Sequence, residues 1–218
     1  MAKPKNITAN DILTYYMDYV VEIGMKPISV SEFSEFNNFE EDVFYQYFES
    51  FNTLEKIIFK TLFDNSIEVL KSSDEFLLFD TKNKLISLYF TFFENLSLNR
   101  NYVSFVLNGF ENQLKALGIF SDLKISFLSF ISEMELDTFI LKVDGLENIQ
   151  KKTIKEAAWF QLLIILKFWL SDTSESFEKT DIFIEKSVNT SFELLDNTFL
   201  KSVLDLGKFL YKEKIQSR

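Results

Sequence analysis

Residues that interrupt helices are scarce in this chain, which contains 5 Gly and 2 Pro among 218 residues. Strands joined by tight turns usually need more of both residue types. The sequence also lacks a glycine-rich loop and any strand-length alternation of apolar and polar residues between turn pairs. Apolar residues instead recur at three- and four-residue spacing, for example from Ile12 to Ile23. The sequence therefore predicts an all-α fold.

Two missing residue types exclude whole classes of catalysis. The chain has no His and no Cys, so imidazole acid–base chemistry, thiol chemistry and iron–sulfur clusters are excluded. Zinc would need carboxylate ligands alone, which is rare. We therefore expect a protein that is not an enzyme and holds neither cofactor nor metal. No signal-like apolar core follows Met1, and no apolar run is long enough to span a bilayer, which together predict a cytoplasmic protein.

Capping patterns predict where the first helices begin and end. Thr8 has the character of an N-cap, and Gly24 stops the helix that follows it. Ser29 and Glu32 have the spacing of a capping box and open a short second helix through Phe36.

A short third helix is predicted over Val43–Phe48, and a fourth, longer helix begins after Ser50. The segment Ala157–Leu170 is apolar on nearly every face, so it needs cover from a core on one side and from a partner subunit on the other. Further helices are predicted near 82–97, 100–117, 121–141, 147–171 and 176–211.

Short helices followed by long ones are typical of a helix-turn-helix protein with a second helical domain. Gly24 ends the first predicted helix, Ser29-Val30 opens the second, and the aromatic unit Phe44–Phe48 closes the third. In this order and spacing, Ile12–Leu54 resembles the N-terminal domain of the tetracycline-repressor (TetR) family of bacterial regulators.

The resemblance implies a TetR-like architecture with two domains. A helix-turn-helix-like domain would occupy residues 1–50, and a helical ligand-binding and dimerisation domain would occupy residues 51–218. The helix over 51–71 would connect them.

The resemblance also implies which residues face DNA. Phe51 stands where the family has a lysine that contacts a phosphate, and carboxylates replace the small and hydroxyl residues that meet DNA. The residues implied to face DNA are Ser29, Glu40, Glu41, Asp42, Val43, Tyr45, Gln46 and Phe51.

Charge disfavours DNA as a partner. Residues 1–60 hold five Lys and ten acidic residues, whereas DNA binding depends on neutralising phosphates. Carboxylates in the first turn of a helix also complement the helix dipole, which is an alternative reason for their presence.

In the C-terminal domain, the resemblance implies a pocket for a small apolar or lipid-like ligand and a homodimer interface on the last two long helices. Ordinary core packing is the alternative for both sets of residues. The candidate pocket residues are Tyr89, Phe90, Phe93, Phe105, Phe127, Phe130, Trp159 and Phe160. The candidate interface residues are Leu162, Leu166, Phe183, Ser187 and Ser191.

A second resemblance concerns the segment Asp172–Thr180. Its D-x-S-x-x-F-x-x-T pattern is similar to the lipid-binding accessory protein of ubiquinone biosynthesis, a TetR-fold relative. The same residues are equally well explained as caps of the last helix. Two functions follow: a TetR-like transcriptional regulator that binds an apolar ligand, or a lipid or isoprenoid carrier with the same fold and no DNA binding.

Overall fold

The structure is built from helices. It is a computed structural model that describes residues 7–107, 114–134 and 147–195, and within these ranges it contains ten α-helices and no strand. Two 3-10 helices cover Leu114–Phe120 and Glu175–Phe177. The α-helices are α1 (Ala9–Ile23), α2 (Val30–Phe36), α3 (Glu41–Tyr47), α4 (Phe51–Lys71), α5 (Asp74–Leu78), α6 (Thr81–Leu98), α7 (Arg100–Val106), α8 (Ser121–Glu133), α9 (Glu147–Ser171) and α10 (Glu178–Leu195). The predicted all-α class is confirmed.

The ends of α1 follow from its sequence. Thr8 Oγ1 accepts the backbone N–H of Asp11 at 3.2 Å, and the Asp11 carboxylate accepts the backbone N–H of Thr8 at 2.9 Å. Each group thereby satisfies a donor that the first helical turn leaves without a partner. Gly24 ends the helix at φ 72°, a left-handed conformation that costs glycine nothing.

The capping box predicted for α2 forms only in part. Ser29 Oγ accepts the backbone N–H of Glu32 at 3.1 Å, as predicted. The Glu32 carboxylate instead accepts the hydroxyl of Tyr19 at 2.9 Å. This hydrogen bond ties α2 to α1. The helix ends at Phe36, and Asn38 adopts φ 56° in the turn that follows.

The later helices depart from prediction in two places. The predicted helix over 100–117 is wrong, because α7 ends at Val106 and a 3-10 helix covers Leu114–Phe120. The short helix α5, capped by Ser73, was not predicted. The prediction for 147–171 is confirmed as α9, whereas the predicted helical stretches over 135–141 and 196–211 lie outside the described residues.

The chain divides into two compact units. Unit 1 comprises Met1–Glu68 and Phe92–Ser126, and unit 2 comprises Val69–Thr91 and Phe127–Arg218. This division follows contacts within the fold and does not coincide with the functional domains predicted over 1–50 and 51–218, which stay a prediction. Among the described helices, none is long and apolar enough to cross a membrane.

The interior of unit 1 is filled with aromatic rings. Phe33 is fully buried, and its ring centroid lies 5.6 Å from that of Phe51, 5.9 Å from Tyr16 and 6.2 Å from Phe44, all in edge-to-face geometry. Edge-to-face packing places the positive ring edge against a negative ring face. The rings therefore hold α1, α2, α3 and the start of α4 together.

One carboxylate is buried beside this aromatic cluster. Glu55 is 5 % exposed and accepts the Tyr16 hydroxyl at 2.6 Å and the ammonium group of Lys26 at 2.5 Å. Burial first, and then the charge of Glu55, raises the pKa of Tyr16 well above its ordinary value, so the hydroxyl stays a donor. The two donors compensate the cost of burying the charge.

Unit 2 has a smaller aromatic group. Tyr89 on α6 stacks on Phe127 of α8 at 6.4 Å, and Phe127 contacts Trp159 of α9 at 5.7 Å. Helices α9 and α10 pack together and run antiparallel, with Phe168 stacked on Phe183 at 4.7 Å.

Candidate ligand-binding site

The residues implied to face DNA are mostly exposed on unit 1. Ser29, Glu40, Glu41, Asp42, Tyr45 and Gln46 are exposed, and Val43 is half-buried. Phe51 is an exception: its ring lies 5.3 Å from those of Tyr16 and Phe44, so it packs in the aromatic cluster. Phe51 is half-buried, and its assignment to a phosphate-facing position stays a prediction.

Two lysines of unit 1 are already engaged with carboxylates. Lys26 is paired with Glu55, and Lys60 is paired with Asp64 one turn later on α4. Glu40, Glu41 and Asp42 thus face solvent as a consecutive carboxylate surface. This surface would meet a DNA phosphate with repulsion of roughly 1 kcal/mol per charge at close approach in water.

Unit 2 contains a partly open apolar cavity of about 250 Å³. Four helices and the residue after α8 contribute to its wall, and none of the described lining residues is ionisable. The lining residues are Thr81, Leu85, Ile131, Met134, Ile154, Ala157, Ala158, Gln161, Ser191, Phe192, Leu194 and Leu195. Space arises where α9 carries the small pair Ala157–Ala158 opposite the larger aliphatic side chains.

A polar pair stands in this otherwise apolar wall. Gln161 Nε2 donates to Ser191 Oγ at 3.2 Å, which links α9 to α10. The Tyr89 hydroxyl lies 3.2 Å from the carbonyl of Ala158 and 3.4 Å from Gln161 Oε1. The Gln161 side chain is therefore oriented by partners at both ends of its amide. Burial raises the pKa of Tyr89 well above its ordinary value, so this hydroxyl stays a donor.

The predicted pocket residues do not line the cavity. Tyr89, Phe127 and Trp159 form an aromatic group beside its wall, and Phe130 is buried. Phe90 is half-buried in unit 2, whereas Phe93 and Phe105 belong to unit 1. Phe160 is 63 % exposed on the surface of α9. These rings fill space within the fold, and their role in binding a ligand stays a prediction.

The predicted interface residues separate into two groups. Leu162 and Leu166 are buried within the single chain, whereas Phe160 and Ile164 are exposed apolar residues of the same helix. Phe183, Ser187 and Ser191 are half-buried on α10; Phe183 packs on Phe168, and Ser191 accepts a hydrogen bond from Gln161.

Asp172 caps the start of α10. Its carboxylate accepts hydrogen bonds from the backbone N–H and hydroxyl of both Ser174 and Thr180, at 2.7–2.9 Å. Burial alone would raise the pKa of Asp172, but these hydrogen bonds outweigh burial and lower it to about 2. The capping explanation of the segment 172–180 therefore accounts for its Asp, Ser and Thr.

Unit 1 contains a wider groove, of about 740 Å³, between α1 and the start of α7. Its wall includes Asp18, Glu22 and Arg100, so it is charged and suits water better than an apolar molecule. Elsewhere among the described residues, acidic side chains do not gather as a metal site.

Sequence reasoning missed most of the cavity wall. Two signals pointed to it: the small pair Ala157–Ala158 within an apolar helix, and the single amide Gln161 in the same apolar run. The aliphatic residues of α6, α8 and α10 carried no signal that distinguishes them from ordinary core.

Comparison with known proteins identifies the family. A family model described as "Tetracyclin repressor-like, C-terminal domain" matches residues 84–210, which is more than half of the chain. A search of curated proteins found no match. The matched segment includes α9, α10 and most of α6, which form much of the cavity wall. The all-helical fold agrees with this assignment, and the chain belongs to the tetracycline-repressor-like family.

Proposed function

We propose that this protein is a TetR-like regulator whose unit 2 cavity binds a small apolar ligand. The observation that carries the proposal is the apolar cavity of about 250 Å³ within the segment that identifies the family. An engineered apolar cavity of about 150 Å³ binds benzene, and sites for drug-sized ligands start near 300 Å³. The ligand is therefore compact, somewhat larger than benzene.

Calorimetry with α-methylstyrene, a hydrocarbon slightly larger than benzene, tests ligand binding. We expect saturable binding to the wild-type protein. The variant Ala158→Leu places extra carbon atoms in the cavity and should abolish binding, since it keeps the backbone carbonyl that Tyr89 contacts. Ala9→Leu, in the first turn of α1, is the matched control and should bind normally. Absence of binding to wild type would contradict the proposal.

We further propose that operator binding by this chain is weak. The start of α3 presents Glu40, Glu41 and Asp42, and Lys26 and Lys60 are already engaged in ion pairs. A gel-shift assay against the protein's own upstream DNA at low salt should show weak binding. Tight binding that falls steeply with salt would contradict this part of the proposal.

The third part of the proposal is a homodimer that uses the outer face of α9. Phe160 and Ile164 are one turn apart and 63 % and 43 % exposed, which leaves large apolar side chains in water. Light scattering at tens of micromolar should report a dimer. Phe160→Glu with Ile164→Glu should give a monomer, whereas Ile125→Glu on α8, also exposed, should stay dimeric. A monomeric wild type would exclude the dimer.

The acidic surface of α3 favours a second candidate function. A lipid or isoprenoid carrier would use the cavity and need no DNA. Native mass spectrometry of the freshly purified protein separates the candidates: co-purified lipid supports the carrier, and its absence together with operator binding excludes it.

A further inference from the structure

We propose that the cavity selects neutral ligands that carry one hydrogen-bond acceptor, and that Gln161 and Ser191 donate hydrogen bonds to this acceptor. The inference rests on the proposed ligand binding and adds the chemical class of the ligand. It follows from two features of the described cavity wall: the lack of ionisable groups, and one hydroxyl for whose proton the described residues offer no acceptor.

The neutral class follows from desolvation. A charged group that enters an apolar cavity loses its water and needs an opposite charge or several strong donors to replace it. The described wall supplies aliphatic side chains, one phenylalanine, a threonine, an amide and a hydroxyl. A carboxylate or ammonium group would find no counter-charge on these residues. A neutral molecule avoids this cost.

The need for an acceptor follows from the direction of the hydrogen bonds. Gln161 Nε2 donates to Ser191 Oγ, so the Ser191 oxygen acts as the acceptor in that contact. Among the described residues no acceptor is found for the Ser191 hydroxyl proton. Gln161 Oε1 faces the Tyr89 hydroxyl, and its amide nitrogen keeps a second proton. The pair thus offers donors, and a ligand carbonyl or ether oxygen satisfies them.

Three probes of similar size and shape test the inference by calorimetry on the full chain. Acetophenone carries a carbonyl oxygen, α-methylstyrene replaces that oxygen with a methylene group, and benzoate carries a charge. We expect acetophenone to bind about fivefold more tightly than α-methylstyrene, the value of one net hydrogen bond. Benzoate should not bind even at ten times the concentration used for acetophenone.

A double variant, Gln161→Leu with Ser191→Ala, removes both donors and should lower the affinity ratio of acetophenone to α-methylstyrene to one or below. Thr190→Ala, exposed on the same helix beside Ser191, is the matched control and should keep the ratio. Retained binding of α-methylstyrene by the double variant shows that the cavity is still folded.

The outcomes separate the inference from the proposed function. Equal affinities of acetophenone and α-methylstyrene for wild type, an unchanged ratio in the double variant, or tight benzoate binding would each overturn the inference while ligand binding stands. If neither neutral probe binds wild type, both the inference and the proposed ligand binding fail.

Discussion

The two units use aromatic residues in different ways. In unit 1, the rings around Phe33 meet edge to face and leave no room between α1, α2 and α3. In unit 2, the stacked rings of Tyr89 and Phe127 and the tilted ring of Trp159 lie beside a cavity whose wall is mainly aliphatic. The comparison teaches that a high count of Phe does not by itself indicate a ligand pocket. Space remains where small and aliphatic side chains meet.

The difference also concerns polar groups. Unit 1 buries Glu55, which accepts hydrogen bonds from both Tyr16 and Lys26, while the buried hydroxyls of Ser34 and Tyr102 have no partner among the described residues. Unit 2 places Gln161 and Ser191 at a cavity, where the described residues offer no acceptor for the Ser191 hydroxyl proton. A satisfied network stabilises a fixed arrangement, whereas unused donors favour an additional partner. The Glu55 network is suited to structure, and under the proposed function the pair Gln161–Ser191 is suited to recognition.

The largest loss of stability is expected from a substitution that disrupts the close packing of unit 1. Phe33→Ala should lower the free energy of unfolding by about 3–5 kcal/mol, because a fully buried ring is lost from a close-packed cluster. Urea denaturation followed by circular dichroism measures the change. Phe36→Ala, on the same helix but 46 % exposed, should cost less than about 1 kcal/mol. Similar losses for both variants would show that the cluster is not the core of unit 1.

Enlarging the cavity of unit 2 should cost less stability than Phe33→Ala, and a bound ligand should restore part of that stability. Leu85→Ala removes a buried side chain from the cavity wall and should lower the free energy of unfolding by about 2–3 kcal/mol. Saturating α-methylstyrene should restore part of this loss, since a ligand that binds only the folded state stabilises it. The same probe should not restore Phe33→Ala. If the probe stabilises neither variant, or stabilises both, the proposed difference between the units is contradicted.

A smaller effect of about 1–2 kcal/mol is expected for Asp172→Asn, which weakens the hydrogen bonds from Ser174 and Thr180. The folded-state pKa of Asp172, about 2, lies below the ordinary value of 3.8. The ionised carboxylate therefore contributes its full stability above about pH 4 and loses it as the pH falls towards 2. The gap between wild type and variant should shrink over that range in denaturation curves.

Glu185→Gln, which changes an exposed carboxylate on the same helix, controls for general effects of acid. Its gap from wild type should stay small at every pH. A gap for Asp172→Asn that does not change between pH 4 and pH 2 would mean that the carboxylate is not held in its charged form.

The smallest expected effect concerns the acidic surface of unit 1. Replacing Glu40, Glu41 and Asp42 by Ser, Lys and Gly should strengthen non-specific DNA binding about fivefold to tenfold at low salt, because like-charge repulsion is removed. Filter binding at several salt concentrations measures the change. Unchanged affinity would show that charge is not what limits DNA binding by this unit.

Local chemistry made much of the fold predictable. Thr8 and Gly24 define the ends of α1 through contacts with their own neighbours in the chain, and sequence spacing captures such contacts. The end of α7 at Val106 was missed although Asn108-Gly109, a pair typical of turns, follows it in the sequence, because apolar residues recur beyond that pair. Helix α5 was missed because five residues are too few for a periodic pattern.

The site was less predictable for a physical reason. A cavity is defined by what does not fill it, and this depends on how side chains from α6, α8, α9 and α10 meet. The sequence showed that Tyr89 and Trp159 are large and apolar, but not that they would pack beside the wall. Gln161 stood out as polar in an apolar helix, yet its partner Ser191 lies 30 residues away.

Asp172 also sets the register between two helices. Its hydrogen bonds hold Thr180 against the end of α9, and Gln161 and Ser191 lie eleven residues before Asp172 and eleven after Thr180. Eleven residues make about three helical turns, so both pairs recur on the facing sides of antiparallel helices. The contact between Asp172 and Thr180 therefore favours the helix rotation in which Gln161 meets Ser191. The carboxylate at the cap thereby aligns the donors of a cavity about 16 Å away along the helix axis.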